Sequence, residues 1–368
     1  MPGVSWSATG AWAYDLDHSR IVYRHNPGVP FRPASNEKIT VAVTALDRLG
    51  PQFRIPTVVL SKGVFDGAAG VLHGSLFLKG YGDPWLRTSR LELLVARLRA
   101  AGIRKVTGRI LGDESYFDRV RVGPGWKPSF YKVESPPLSA LVVDRGHVGR
   151  HMWDQPARAA AFVFRRALKA GGIAAPGDIG RRAAPADATM LARVRSRYLT
   201  KIVTRMDHVS DNFFAEMLLK QIGKHERGEG STKAGTAVVR AELRQRGVTM
   251  TGLRIADGSG LSLYDRLTAR ALGELLISAT SDSAIGSDFV ASLPIAGVNG
   301  TLEDRMERLP AYRHVFAKTG TTDLASALSG YVRTRYVFSI LQNGSPIPYY
   351  YARKAQDRFA QVLAGAAQ

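Results

Sequence analysis

Three short strings, far apart, constrain this chain more than anything else in it: Ser35-Asn36-Glu37-Lys38, Ser210-Asp211-Asn212 and Lys318-Thr319-Gly320. In that order they fit the patterns S-x-x-K, S-x-N and K-T-G. A serine hydroxyl is a weak nucleophile unless a neighbour takes its proton, and the strings supply two serines, two lysines and an amide for that chemistry. Positions 35, 210 and 318 cannot meet unless the two ends of the chain share one structural unit. The layout that follows is a catalytic unit built from residues 1–60 and 195–368, with 61–194 inserted as a separate module.

One string alone carries little. At ordinary Ser and Lys frequencies a chain this long shows about one S-x-x-K by chance, and Ser129-Phe130-Tyr131-Lys132 also fits. Context separates the two. Ser35 follows Pro33-Ala34 and opens a run, Asn36 to Leu49, whose Ile39, Val41, Ala42, Val43, Ala45, Leu46 and Leu49 suit a buried helix ending at Gly50-Pro51. That places Lys38 one turn beyond Ser35 on the same face. Ser129 sits in an aromatic, Pro-flanked segment with no such run after it, and reads as a decoy. Ser210-Asp211-Asn212 leads into another apolar helical run, and Lys318-Thr319-Gly320 lies in strand context after Val315-Phe316-Ala317.

At 368 residues the chain is long enough for one large or two moderate domains. A hydrophobic content of 45% with 22% charged residues is that of a globular protein. No apolar run is long enough to span a membrane, and Met1 to Trp6 lack the basic start and apolar stretch of a signal peptide. There are no cysteines, which excludes disulfides and thiol chemistry. The eight histidines are scattered, so neither a metal nor a cofactor is expected. Lys+Arg 51 against Asp+Glu 31 gives a net charge of +20. That charge draws a protein toward polyanions: anionic wall polymer, a membrane surface or nucleic acid. Without a packed basic tract or an aromatic RNA-binding string, no specific nucleic acid is expected.

Along the chain, Ala8–Tyr14 and Ile21–Tyr23 read as a hairpin leading into the Ser35 helix. Strand-like pieces at Val58–Leu60, Gly74–Leu78 and Val106–Leu111 alternate with a helix from Ser89 to Ala101, and a further helix runs from Pro156 to Ala170. Gly171–Pro185 is linker-like, and one long helical pattern runs from about Arg197 to Gly223. Helices are expected around Leu267–Thr280 and Thr301–Leu309, then strands Ala327–Val332 and Tyr336–Leu341 and a last helix Ala352–Ala364.

The chain resembles the low-molecular-mass class C penicillin-binding proteins, the D-alanyl-D-alanine carboxypeptidase/endopeptidases of peptidase S13 type. Besides the three strings, the resemblance rests on Leu78 to Pro84, Gly108 to Phe117, Asp257-Gly258-Ser259-Gly260-Leu261-Ser262 and Ser292 to Gly297. It implies an α+β fold: a serine β-lactamase/transpeptidase-like catalytic domain, an antiparallel sheet with helices on both sides, and an inserted smaller α/β domain. The chain departs from the family in two ways. Leu138-Ser139-Ala140-Leu141 runs quickly into the 155–170 helix, so a further large insertion is missing. Lys127-Pro128-Ser129 after Trp126, and Leu263 after Ser262, stand where members that read a diamino acid carry an acid and an Arg.

The resemblance implies a serine D,D-peptidase acting through an acyl-enzyme, with peptidoglycan stem peptides as substrates, β-lactams as covalent inhibitors and an extracytoplasmic location. Ser35 would be the nucleophile and Lys38 its base, its pKa depressed by partial burial and by Lys318. Ser210 would relay the proton, Asn212 would hold the substrate amide, and Lys318, Thr319 and Thr321 would bind the terminal carboxylate beside Gly320. The N–H groups of Ser35 and Thr321 would form the oxyanion hole. Trp126 and Tyr131 would line the groove or anchor loops, and Asp211 reads as structural. The rival readings are a β-lactamase or carboxyl esterase on the same fold, with Glu216 the acid to examine, or a non-catalytic basic binder of wall polymer or nucleic acid.

Overall fold

Every residue of the strand Ala325–Val332, and all but the last of Tyr336–Asn343, is buried, so both faces of their sheet must be covered. Strand alternation sorts the faces. Ala327, Tyr331, Val337 and Leu341 join one core with Leu272 and Leu276 of the helix Ala269–Thr280. Leu328, Val332, Phe338 and Ile340 join another with Ala360, Leu363 and Ala364 of the C-terminal helix Tyr349–Ala366. The sheet runs Val315–Thr322, Ala325–Val332, Tyr336–Asn343, Thr9–Asp15, Arg20–His25, antiparallel throughout. The N-terminal hairpin thus completes a sheet begun by the C-terminal strands. This computed structural model describes residues 4–367; Met1-Pro2-Gly3, on which the signal-peptide reading partly rests, lie outside the described residues.

The helix Glu37–Leu49 is buried from Glu37 to Leu46 and packs against Leu199–His208, Asn212–Arg227 and Thr232–Gln245. A second five-stranded sheet has a core of its own. It runs Ile179–Arg181, Ile110–Asp113, Leu76–Gly80, Pro56–Ser61, Thr189–Arg195 and mixes parallel with antiparallel pairs. Leu91, Leu94 and Leu98 of Thr88–Ala100, and Ala161, Phe164 and Leu168 of Pro156–Ala170, cover it at helical spacing.

The structure departs from the sequence reading at several points. Pro56–Ser61 pairs with Leu76–Gly80 and Thr189–Arg195, so a boundary at residue 60 would cut a strand out of its sheet. The linker-like 171–185 stretch carries Ile179–Arg181, which lies parallel to Ile110–Asp113; its Gly and Pro content masks three ladder residues. The pattern from Arg197 to Gly223 is two helices, Leu199–His208 and Asn212–Arg227. Apolar periodicity continues across the break, so periodicity alone hides it. The helix expected at Thr301–Leu309 is only a short 3₁₀ turn, Gly300–Leu302, and Thr232–Gln245 is a helix that was not anticipated.

Gly273 lies where the helix Ala269–Thr280 crosses the sheet, and a Cβ there would collide with the Trp12 ring. Gly273→Ala is expected to destabilise the fold by about 1–3 kcal/mol, the usual cost of overpacking. An unchanged urea midpoint would show that this helix is not pressed onto the sheet.

Candidate active site

The Ser35 turn is built from contacts on three sides. Ser35 sits in the 3₁₀ turn Ala34–Asn36 that opens the helix Glu37–Leu49, and Ala34 takes a positive φ of 46°. Asn36 donates to Ser329 Oγ at 2.6 Å, tying the turn to the central sheet. A Cβ on Gly320 would come 2.8 Å from Pro33 O and 3.1 Å from Ser35 N. The last residue of K-T-G is therefore glycine because the edge strand passes directly over the Ser35 turn.

The three strings converge. Lys38 is wholly buried, and its Nζ donates to Ser35 Oγ at 2.9 Å, Asn212 Oδ1 at 2.8 Å and Ser259 O at 2.7 Å. Lys318 is also wholly buried and donates to Ser210 Oγ at 3.0 Å and Thr319 O at 2.9 Å. Ser210 occupies the break between two helices with a φ of 56°, a left-handed conformation that costs a non-glycine residue about 1–3 kcal/mol. Asp211 then caps the helix Asn212–Arg227 by accepting from Phe214 N, and pairs with Arg145 at 2.7 Å. Its place is structural.

Ser129 lies exposed in the Pro128–Phe130 turn, and Lys132 is paired with Asp154 at 2.8 Å. The second S-x-x-K thus has no free base. Trp126 spends its indole N–H on Asp257 Oδ2 at 2.7 Å, and Tyr131 donates its hydroxyl to Asp154 at 2.9 Å. These contacts fit loop anchors. Thr319 donates to Thr301 Oγ1 at 2.7 Å, and Thr321 is exposed at the strand end.

Sequence reading missed Ser259, Glu134 and Thr301. Ser259 supplies a carbonyl to Lys38. Glu134 accepts from the Asn212 amide through its backbone oxygen at 3.1 Å. The Asp-Gly-Ser-Gly string was a visible signal for Ser259; the other two sit in unremarkable loops.

Burial pushes Lys38 down to about 8, against the pull of Asp257 and Glu216. The expected effect of Lys318 on Lys38 is replaced by the converse. Lys318 is pushed down to about 7 by burial first and by the charge of Lys38 second. Beside the lysines lies an acidic cluster, with Glu37, Glu216, Asp257 and Asp265 all fully buried. Burial and then Asp257 push Glu216 up to about 8 and Glu37 and Asp265 well above the carboxylate range. Among the described residues Glu37 Oε2, Glu216 Oε2 and Asp265 Oδ2 make no hydrogen bond, and leaving such atoms ionised and buried is costly. Asp257 is instead satisfied by Trp126, Gly260 N and Ser262 N.

An antiparallel sheet covered by helices on both faces, with S-x-x-K, S-x-N and K-T-G meeting at one edge, defines the serine β-lactamase/transpeptidase-like class. The profile of the D-Ala-D-Ala carboxypeptidase 3 (S13) family matches residues 2–153 and 148–365, and the chain belongs to that family. It is 30% identical over 448 residues to a D-alanyl-D-alanine carboxypeptidase of Actinomadura sp. (strain R39), covering 99% of this chain and 82% of the relative. It is 31% identical over 333 residues to a carboxypeptidase of Mycobacterium tuberculosis, covering 83% and 69%. In fold it matches penicillin binding protein 4 (dacB) from Haemophilus influenzae with a TM-score of 0.84 at 24% identity, covering 94% of this chain and 91% of that one.

Glu216 holds its proton more tightly folded, at about 8, than at its ordinary 4.5. The stability this contributes is present below pH 4.5 and is lost as pH rises through 8. Relative to Glu216→Gln, the native chain should therefore lose stability between about pH 5 and pH 8. Parallel urea midpoints for the two proteins across that range would contradict it.

Proposed function

We propose that this serine-type carboxypeptidase fold cleaves the D-Ala-D-Ala ends of peptidoglycan stem peptides, D-Ala–diamino-acid cross-links, or both, through an ester on Ser35, and that penicillins acylate the same residue. The observation that carries this reading is the Lys38 ammonium 2.9 Å from Ser35 Oγ in a fully buried position. A lysine there loses its proton near pH 8 and then accepts the serine proton. Ser35 Oγ attacks the carbonyl of the penultimate D-Ala. The C–N bond breaks, and the amine leaves with a proton relayed through Ser210, which Lys318 holds in place. Water then cleaves the ester.

Asn212 orients the substrate amide. Lys318, Thr319 and Thr321 hold its terminal carboxylate, beside which Gly320 leaves room. A bound carboxylate raises the pKa of Lys318 and keeps it charged. The N–H groups of Ser35 and Thr321 form the oxyanion hole, where loss of one donor typically costs about 10²–10³ in rate.

The lactamase alternative needs a carboxylate to activate a deacylating water. Glu216 is wholly buried, and its Oε1 accepts from Gly258 N and Ser259 N at 2.9 Å each. It is thus engaged in holding the Asp257–Ser262 loop. The non-catalytic alternative leaves two buried lysines and a strained Ser210 without a role.

We further assign the five-stranded sheet within residues 56–195 to the inserted unit, since both crossing strands pair within it, while Phe117, Leu138, Ala140 and Val142 pack in the core of the catalytic unit. The family's additional insertion is absent. Alignment over 448 positions against 368 residues here supports that assignment. The location is extracytoplasmic, with the +20 charge favouring contact with anionic wall polymer or a membrane surface. No described helix is long and apolar enough to cross a membrane.

Incubation with a penicillin should leave a long-lived adduct on the Ser35 peptide, read by mass spectrometry, and Ser35→Ala should abolish it. An adduct on Ser129, or none, would sink the assignment. The acylation rate should also climb about tenfold per pH unit toward pH 8 and then level off, because only neutral Lys38 accepts the proton. A rate independent of pH from about 6 to 8 would remove Lys38 as the base.

A further inference from the structure

Acyl transfer at Ser35 leaves one buried acid beside the site without a role. Asp207 is wholly buried in the last turn of the helix Leu199–His208, three residues before Ser210. Its Oδ2 accepts from Ser292 Oγ at 3.1 Å, and its Oδ1 has no hydrogen-bond partner among the described residues. Ser292 ends the helix Gly286–Ser292 and leads to Pro294, whose oxygen accepts from Ala317 N at 3.0 Å, one residue before Lys318. Asp207 is therefore held between the Ser210 break and the segment that runs along the Lys318 strand. A buried carboxyl with an orphaned oxygen costs stability, and an apolar side chain would serve helix packing alone.

Lys318 has the complementary need. It is wholly buried, and the two oxygens it donates to, Ser210 Oγ and Thr319 O, carry no charge. Charged and titratable neighbours reach it from two helices. Lys38, on Glu37–Leu49, repels it, and Asp207, on Leu199–His208, attracts it. The ring of His208 also faces it, and burial keeps that ring neutral at pH 7. Asp211 is paired with Arg145, and Asp257 and Glu216 act on Lys38. Asp207 is thus the acid whose charge opposes the lowering of Lys318. Burial in turn pushes the Asp207 pKa up, while Lys318, Ser292 and Lys38 pull it down.

No direct ion pair joins the two groups, and that suits the clamp. A salt bridge would take up the third N–H of the ammonium, which a substrate carboxylate needs. A carboxylate set back from contact leaves that N–H free, and its field still reaches the lysine through a medium of low dielectric.

We propose that Asp207 is a positioning residue for the carboxylate clamp, a buried counter-charge that keeps the Lys318 ammonium protonated for the substrate's terminal carboxylate. The inference rests on the assignment of Lys318 to that carboxylate. Asp207 makes and breaks no bond in the reaction; its effect passes through Lys318. Without its charge, burial and Lys38 act on Lys318 unopposed, and the lysine gives up its proton at lower pH.

The test compares the native protein with Asp207→Asn on a matched pair of N-acyl-D-Ala thioesters. In one the leaving thiol carries a carboxylate, and in the other that carboxylate is a methyl ester. For the carboxylate substrate, the pH at which KM begins to climb should fall by about one unit or more in the variant, the usual worth of a neighbouring opposite charge. KM at about pH 7.5 should then rise about tenfold, since one pH unit is a factor of ten in protonation. KM for the methyl ester should stay as in the native protein. Ser292→Ala removes the hydrogen bond that favours ionised Asp207, and should move the carboxylate profile the same way by less. An equal loss on both substrates would assign Asp207 to the fold and overturn the proposal, as would an unmoved KM profile in a folded Asp207→Asn. Should near-UV circular dichroism show that variant unfolded, the Ser292→Ala profile decides, and no movement there overturns the proposal. A native protein that penicillin does not acylate at Ser35 would instead strike the reading on which the clamp depends.

Discussion

One buried ammonium organises this protein. Lys38 Nζ reaches Ser35 Oγ, Asn212 Oδ1 and Ser259 O, three oxygens from segments that lie far apart in the chain. A charge taken out of water is tolerated only when partners surround it. Those three acceptors therefore define where the nucleophile turn, the S-D-N turn and the Asp257–Ser262 loop must sit. Burial that demands this geometry is also what lowers the lysine to about 8, which suits the base role proposed for it. Architecture and chemistry thus have a single physical cause.

Around that contact the structure keeps opposing effects in balance. Asp257 and Glu216 beneath the site oppose the lowering of Lys38, and Lys38 in turn depresses Lys318. Were Glu37, Glu216, Asp257 and Asp265 all ionised, their repulsion and desolvation would undo the core. Two arrangements ease it. Asp257 accepts from several N–H donors, and burial pushes the pKa values of its neighbours up. The left-handed Ser210 is a third cost, borne at the point where its hydroxyl must meet Lys318.

Residues 126–145 meet the site through single contacts. Glu134 accepts from the Asn212 amide, Arg145 pairs with the capping Asp211, and Trp126 donates to Asp257. Residues from the middle of the chain thus act as positioning contacts for turns that the chain's two ends provide.

By itself the sequence determined the family and the enzyme class. It also singled out Ser35, Lys38, Ser210, Asn212 and Lys318, side chains that the fold brings into contact, because acyl transfer needs those residue types at close local spacing and local spacing survives in a linear string. It also determined the helices Glu37–Leu49 and Ala269–Thr280 and the strands Ala325–Val332 and Tyr336–Asn343, whose apolar patterns are long, though not the helix Thr232–Gln245. Tertiary structure alone decided the rest. The break at Ser210 was hidden because apolar periodicity runs straight across it. The strand Pro56–Ser61 belongs to the second sheet because of a partner more than a hundred residues away. Ser259, Glu134 and Thr301 enter the site through a backbone carbonyl or a single hydrogen bond, neither of which leaves a mark on composition or spacing. The depressed pKa of Lys38 follows from depth of burial, and burial is a property of the folded chain.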